Sequence, residues 1–341
     1  MRARWGRVVA SVASLGVAGL LLAVALPRVT GADWAAIGVR VGALSTSTLL
    51  WLTVVWLAGL WSYTFVLTGS LPGLTHLQAL VLNCAGSAVS NLLPFGGAAG
   101  VAVTFTMAGS WGHRKQAIAV STLVSGAWNV LSRLALPAAG LIVSIAAGNL
   151  RGRRFTVAAG LTAGLLAAGL ALVVAALTCA AAGRWAGNAV DRLARLLPSR
   201  SRPALGRTAQ ALSQVRQNTV EVTRQGWPLL TVGMASYLFL QYMLFSACLA
   251  AAGAHLGVAA VIPAFALSRL LATAPIAPGG AGVSESGTAA LLIALGAQPA
   301  ATAAALLLFA FFSYAMEIPV GALAWLTWTA AKRWRTPPAT V

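Results

Sequence analysis

The sequence predicts an all-α polytopic membrane protein, with about six full transmembrane helices and two re-entrant hairpins arranged as a candidate inverted repeat. Three observations predict it. Hydrophobic residues make up 59% of the 341 residues and charged residues only 8%, with a mean hydropathy of +0.84, which is far from the composition of soluble globular chains. Several apolar stretches are long enough to cross roughly 30 Å of hydrocarbon. Each half also carries a glycine-rich, proline-broken run within apolar sequence, at residues 93–100 (LPFGGAAG) and 277–282 (APGGAG). An unpaired backbone group costs several kcal/mol in lipid, so such runs persist only against protein or a water-filled cavity. Paired interruptions in two halves point to a transporter-like site near the midplane.

The elements are taken in chain order. Arg2, Arg4 and Arg7 precede an apolar run at residues 8–26, which is too long for a cleaved signal core and reads as a retained first helix. Residues 28–42 form a short outer-face connection in which Trp34, Ile37 and Val41 share one face of an interfacial helix. A second span covers residues 43–68, and Pro72-Gly73 marks a turn. The apolar segment 77–93 stops at Pro94, and residues 101–111 make a helix of only about 16 Å, too short to cross alone.

Residues 77–111 are therefore either one broken span or a hairpin that returns to its own side, and positive charge decides. With a hairpin, the inner side collects Arg2, Arg4, Arg7, Arg114, Lys115, every arginine between Arg184 and Arg224, and Lys332, Arg333 and Arg335. Only Arg28, Arg40, Arg151, Arg153 and Arg154 fall outside, as the positive-inside tendency requires. Spans at 117–147, with Pro137 as a kink site, and at 156–182 come next. Residues 184–225 hold two amphipathic stretches expected to lie on the inner leaflet, arginines toward anionic headgroups. A span at 229–252, a second hairpin at 258–295 and a last span at 300–329 complete a single domain over residues 1–341. Both termini are expected in the cytoplasm, in a plasma membrane of bacterial type.

The net charge of +18 belongs to this topology and does not imply nucleic acid, because no aromatic-interleaved basic surface accompanies it. Cys84, Cys179 and Cys248 are widely spaced within apolar segments and read as buried thiols, with no metal or disulfide framework.

An ionisable group inside a span is a functional candidate by default. Glu285 and Glu317 are two of only five acidic residues. Glu285 is either part of a site or the cap of the short helix after Pro278-Gly279-Gly280. Glu317 is either part of a site or the partner of a buried arginine. Arg133 and Arg269 recur in like phrases, Leu131-Ser132-Arg133-Leu134 and Leu267-Ser268-Arg269-Leu270, and each suits a buried carboxylate or a lipid phosphate. Asn91, just before the first break, and Asn129, one helical turn from Arg133, either satisfy backbone groups as scaffold or line the same cavity. The turns holding Gly96, Gly97, Gly279 and Gly280 can present backbone amides to an anion or simply permit close packing, and neither run is a P-loop. His76, His113 and His255 sit at interfaces, and Ser284 and Ser286 have no histidine nearby in sequence. No hydrolase constellation assembles, and no cofactor is called for.

These residues carry a resemblance. Asn91-Leu92-Leu93-Pro94 with Gly96-Gly97, then Trp111-Gly112, together with the Pro278-Gly279-Gly280-Ala281-Gly282-Val283-Ser284-Glu285 phrase, resemble the lysylphosphatidylglycerol synthase transmembrane-region family, the flippase-like domain of multiple peptide resistance factors. The resemblance implies a protein that moves a phospholipid, such as aminoacylated phosphatidylglycerol, between leaflets, with membrane lipids as its partners and a homo-oligomer or a separate synthase as further candidates. Where many members carry charges after the first motif this chain has Ala99, Val101 and Ala102, and where they carry an arginine in the last span it has Phe311 and Phe312. Two other readings stand beside it: a polyprenyl-phosphate-processing enzyme, whose family phrase has an arginine absent from the Pro278–Gly282 run, and a non-transporting membrane anchor subunit. No ATP-binding motif is present, so movement would be gradient-coupled or an equilibration.

Overall fold

The computed structural model describes residues 16–93, 96–146, 205–272 and 280–331, with single residues at 160, 164 and 168. Among these the chain is helical throughout: α1 Gly16–Thr30, α2 Trp34–Gly42, α3 Thr46–Ser70, α4 His76–Leu92, α5 Gly96–Ser110, α6 Lys115–Ala146, α7 Leu205–Ala251, α8 Val258–Leu271, α9 Val283–Ala294 and α10 Pro299–Ala330. Four of them, α3, α6, α10 and the Asn218–Ala251 part of α7, are long and apolar enough to cross a membrane, and the pair α1 and α2, bent by 100°, adds a fifth. The span expected at residues 156–182 lies outside the described residues, as do the basic N-terminus, residues 184–204 and the C-terminal basic cluster.

Local chemistry sets the boundaries. Asp33, Ser45 and Thr75 each cap a helix start with a side-chain oxygen, satisfying amides that have no partner within the helix. Pro299 opens α10, where a missing N–H costs nothing. Within α2, Ile37 is buried while Trp34 and Val41 are exposed, so the face expected to act as one is divided between protein and surroundings.

Small residues bring the helices together. Along α3 and α7, Gly69 abuts Gly226 and Leu229, Gly233 abuts Phe65 and Val66, and Gly59 faces Leu240. As one number rises the other falls, so α3 and α7 run antiparallel in close contact, which suits association by small residues where lipid removes the hydrophobic drive. Ser70 Oγ meets Ser121 Oγ at 2.7 Å and Asn129 reaches Tyr63, so α3 is antiparallel to α6 as well. That makes α6 and α7 parallel, the relation expected when one span separates them.

The first hairpin is closed by the same means. A Cβ on Gly96 would collide with the Ser90 carbonyl oxygen, and one on Gly100 would come within 2.7 Å of Ser90 Oγ and 3.3 Å of the Gly86 oxygen. Helix α5 therefore returns antiparallel along α4. Two expectations are corrected here. The first break is narrower than residues 93–100, because α5 already starts at Gly96: Gly96 and Gly100 serve the contact between two helices instead of an extended loop. The amphipathic residues 205–222 do not form a separate helix on the leaflet but continue the span as the N-terminal part of α7, which runs unbroken over 47 residues through Pro228.

These contacts disclose the plan. One unit runs span, hairpin, span through α3, α4, α5 and α6, and a second repeats it through α7, α8, α9 and α10. Helix α4 packs antiparallel on α10, with Gly321 against Cys84 and Ala88, while α8 packs antiparallel on α6, with Gly140 against Pro263 and Ala266. Each hairpin thus lies on the closing span of the other unit. Because the equivalent spans α3 and α7 are antiparallel, the two units are related by a two-fold axis across the helices. An axis so placed lies in the membrane plane and defines an inverted repeat.

Candidate functional site

The two closing spans are both 32 residues long, and Arg133 and Glu317 stand the same number of residues from their starts. Ser87 and Arg269 stand at equal distances from the starts of α4 and α8. The pseudo-two-fold relation thus carries one span's arginine onto the other span's glutamate, near mid-span in each.

Those positions converge. A cavity of about 160 Å³ is lined by Arg133, Asn129 and Ser132 of α6, Arg269 of α8, Glu317 of α10 and Ser87 of α4, with Tyr63 and Tyr237 from the central pair α3 and α7. Its floor is a fixed network. Asn129 Nδ2 donates to Tyr63 Oη at 2.8 Å and to the Ser125 carbonyl at 2.9 Å. Tyr63 and Tyr237 meet edge to face at 5.2 Å, and Gln241 donates to Tyr237 Oη at 3.2 Å.

Glu317 is engaged from α4. Asn91 Nδ2, at the end of the first hairpin helix, donates to Glu317 Oε2 at 2.9 Å and makes a long 3.5 Å contact with the Ser313 carbonyl; the Ser87 hydroxyl and the Arg269 charge also act on the carboxylate. A π-helical turn at Phe311–Ala315, closed by Met316 N–H to Phe311 O at 2.8 Å, comes just before it. Such turns insert one residue and re-aim the side chains after it, here Glu317, and they are frequent at functional sites.

The arginines differ. Arg133 is exposed and Arg269 half-buried, so the cavity is not sealed. Their charges act on one another, yet neither guanidinium has a hydrogen bond or ion pair among the described residues, where the single ion pair joins Arg224 to Glu221. Two like-charged groups with forked, unused donors do not stabilise one another, and their chemistry suits an anion.

Glu285 lies elsewhere. It is 3% exposed, in the first turn of α9, where Oε2 accepts the Gly282 amide at 2.5 Å and Oε1 the Ser284 hydroxyl at 2.8 Å. Both oxygens are thus occupied, one of them in capping, and it does not line the cavity. Tyr314, on the π-helical turn, lies within the field of both carboxylates.

Of the glycines proposed from sequence, Gly96 is packed against Ser90, Gly97 is exposed with open space where a Cβ would stand, and Gly280, at φ +72°, lies against Ala272 and Leu271. Gly279 lies outside the described residues. The structure therefore brings together Arg133, Arg269, Glu317 and Asn91, and it leaves Glu285 to capping, Gly96 and Gly280 to close packing and Gly97 exposed. Sequence reasoning missed Tyr63, Ser87 and Tyr237. Their signal was present, since a polar group amid apolar span is costly and calls for a partner.

The profile of the family described as Lysylphosphatidylglycerol synthase TM region matches residues 11–321. No curated protein matches the chain.

Proposed function

The chain belongs to the lysylphosphatidylglycerol synthase transmembrane-region family, and from that premise we propose that it moves a phospholipid between the two leaflets of its membrane. The family supports a role in lipid handling, and leaflet exchange is the step beyond it. The observation that carries this step is the pair of guanidiniums, Arg133 and Arg269, in a cavity at mid-span with no partner among the described residues.

A headgroup crossing hydrocarbon loses its water, and the cost is prohibitive unless fixed charges and dipoles replace it. Arg133 and Arg269 grip the phosphate, bidentately where the geometry allows. Asn129 Oδ1 and Ser132 Oγ, whose donors are spent on Tyr63, Ser125 and the Asn129 carbonyl, accept hydrogen bonds from headgroup hydroxyls, while acyl chains stay in lipid beside the open side at Arg133. Glu317, held by Asn91, fixes the first hairpin to the closing span and sets the field on Arg269. Because the units form an inverted repeat, rocking one against the other exposes the cavity to either face in turn.

Reconstitution in vesicles containing a nitrobenzoxadiazole-labelled phospholipid tests the reading. A membrane-impermeant reductant added outside bleaches the outer leaflet, and exchange is measured as loss beyond that half. The proposal expects the protein to accelerate this loss over protein-free vesicles. Equal rates for every labelled phospholipid tried would leave the membrane anchor subunit as the better account.

A further inference from the structure

Charge balance in the cavity narrows what enters it. Arg133 and Arg269 face it with Glu317 as the acid among its lining residues, which leaves one net positive charge. The imbalance is local. Glu285, the other carboxylate of this region, is spent on the Gly282 amide and the Ser284 hydroxyl, and the N-terminus of α9 compensates its charge. Glu317 is itself taken up by Asn91, Ser87 and the field of Arg269. Among the described residues the one acid of the cavity is therefore already engaged by Asn91 and the Arg269 charge, whereas both guanidiniums keep all their donors unused.

We infer that the cavity selects a lipid headgroup with one net negative charge, a phosphodiester bearing hydroxyls and no amine, in preference to zwitterionic or aminoacylated headgroups. The inference rests on the leaflet-exchange reading and deepens it. In a medium of low dielectric an uncompensated charge is expensive, so the ligand that restores neutrality is the one held best. A glycerol phosphodiester does so, and its hydroxyls match Asn129 and Ser132. An ethanolamine phosphodiester is neutral and leaves the excess in place. A lysyl ester of phosphatidylglycerol, with two ammonium groups against one phosphate, increases it.

The test compares three headgroups on acyl-labelled lipids in the same vesicle assay: phosphatidylglycerol, phosphatidylethanolamine and lysyl-phosphatidylglycerol. The expected result is exchange of phosphatidylglycerol at least about tenfold faster than either other lipid, the factor that one charge-assisted hydrogen bond supplies. Arg133→Gln removes the excess charge, and it should reduce phosphatidylglycerol exchange while narrowing its lead over phosphatidylethanolamine. Lysyl-phosphatidylglycerol or phosphatidylethanolamine exchanging as fast as phosphatidylglycerol overturns the inference and leaves leaflet exchange standing.

Absence of exchange for all three defeats the transport reading alone, and binding then decides the inference. Native mass spectrometry of the detergent-solubilised protein with the three lipids at equal concentration should retain phosphatidylglycerol preferentially. Equal retention, or preference for an amine-bearing lipid, overturns it. Glycerol 3-phosphate added at millimolar excess should leave exchange and retention unchanged; competition by it would make a soluble phosphate the ligand and overturn the lipid assignment.

Discussion

Arg133 and Glu285 show how differently two charges inside a membrane protein can be used. Arg133 keeps its donors free, among the described residues, in an open cavity, whereas both oxygens of Glu285 are bonded within its own helix turn. Sequence alone marks both as costly and cannot separate them, because the distinction depends on which groups from distant elements arrive beside them. For Glu285 the local signal of a carboxylate in a first turn was legible. For Glu317 it was not, since its partners Ser87 and Asn91 come from another helix. Glu285→Ala should therefore cost about 0.5–2 kcal/mol of stability, as loss of a cap does, and leave leaflet exchange by the folded fraction within about twofold. A thermal melt followed by size-exclusion chromatography, together with the vesicle assay, checks both, and a stable but inactive variant would return Glu285 to the site. Glu317→Gln should instead impair exchange while the protein stays folded, because Gln retains a carbonyl for Asn91 but no charge beside Arg269.

At the scale of elements, apolar lengths and the proline breaks announced the spans and hairpins, and α3, α6 and α10 lie close to where hydropathy put them. What stayed hidden was the use of the glycines. A run of Gly-Gly-Ala-Ala-Gly reads equally as a loop or as a contact face, and only the approach of Ser90 and Gly86 decides for the contact. The two positions make opposite predictions. Gly96→Ala drives a methyl into the Ser90 backbone and should destabilise by about 1–3 kcal/mol, as overpacking does. Gly97→Ala meets nothing within 4 Å and should stay within about 0.5 kcal/mol of the parent. Thermal midpoints of the two variants in one detergent compare them directly, and equal destabilisation would contradict the hairpin packing. The extension of α7 beyond its span was hidden for a similar reason: an amphipathic pattern states that a helix has two faces, not whether it lies along the leaflet or continues the span.

For the whole molecule, the inverted repeat was suggested by two similar breaks and is carried by contacts that no local pattern contains: α3 against α7, α4 against α10 and α8 against α6. It places Arg133 and Glu317 at matching depths with opposite charge, so the repeat is symmetric in backbone and asymmetric in chemistry. Cysteines introduced together as Ser70→Cys and Ser121→Cys, whose hydroxyls lie 2.7 Å apart, should cross-link under mild oxidation in native membranes, and failure to do so would contradict the register of α3 on α6. The charge distribution makes a further prediction, that a cysteine introduced at position 200 resists labelling by an impermeant reagent from outside. Modification there from outside would reverse the topology. The central claim is that two guanidiniums at mid-membrane hold a lipid phosphate during its passage between leaflets. The measurement that tests it most directly is the initial rate of phosphatidylglycerol exchange in proteoliposomes for the parent and for the folded Arg133→Gln, Arg269→Gln double variant. The account predicts a rate reduced at least about tenfold, toward that of protein-free vesicles; a double variant that exchanges lipid as fast as the parent would contradict it.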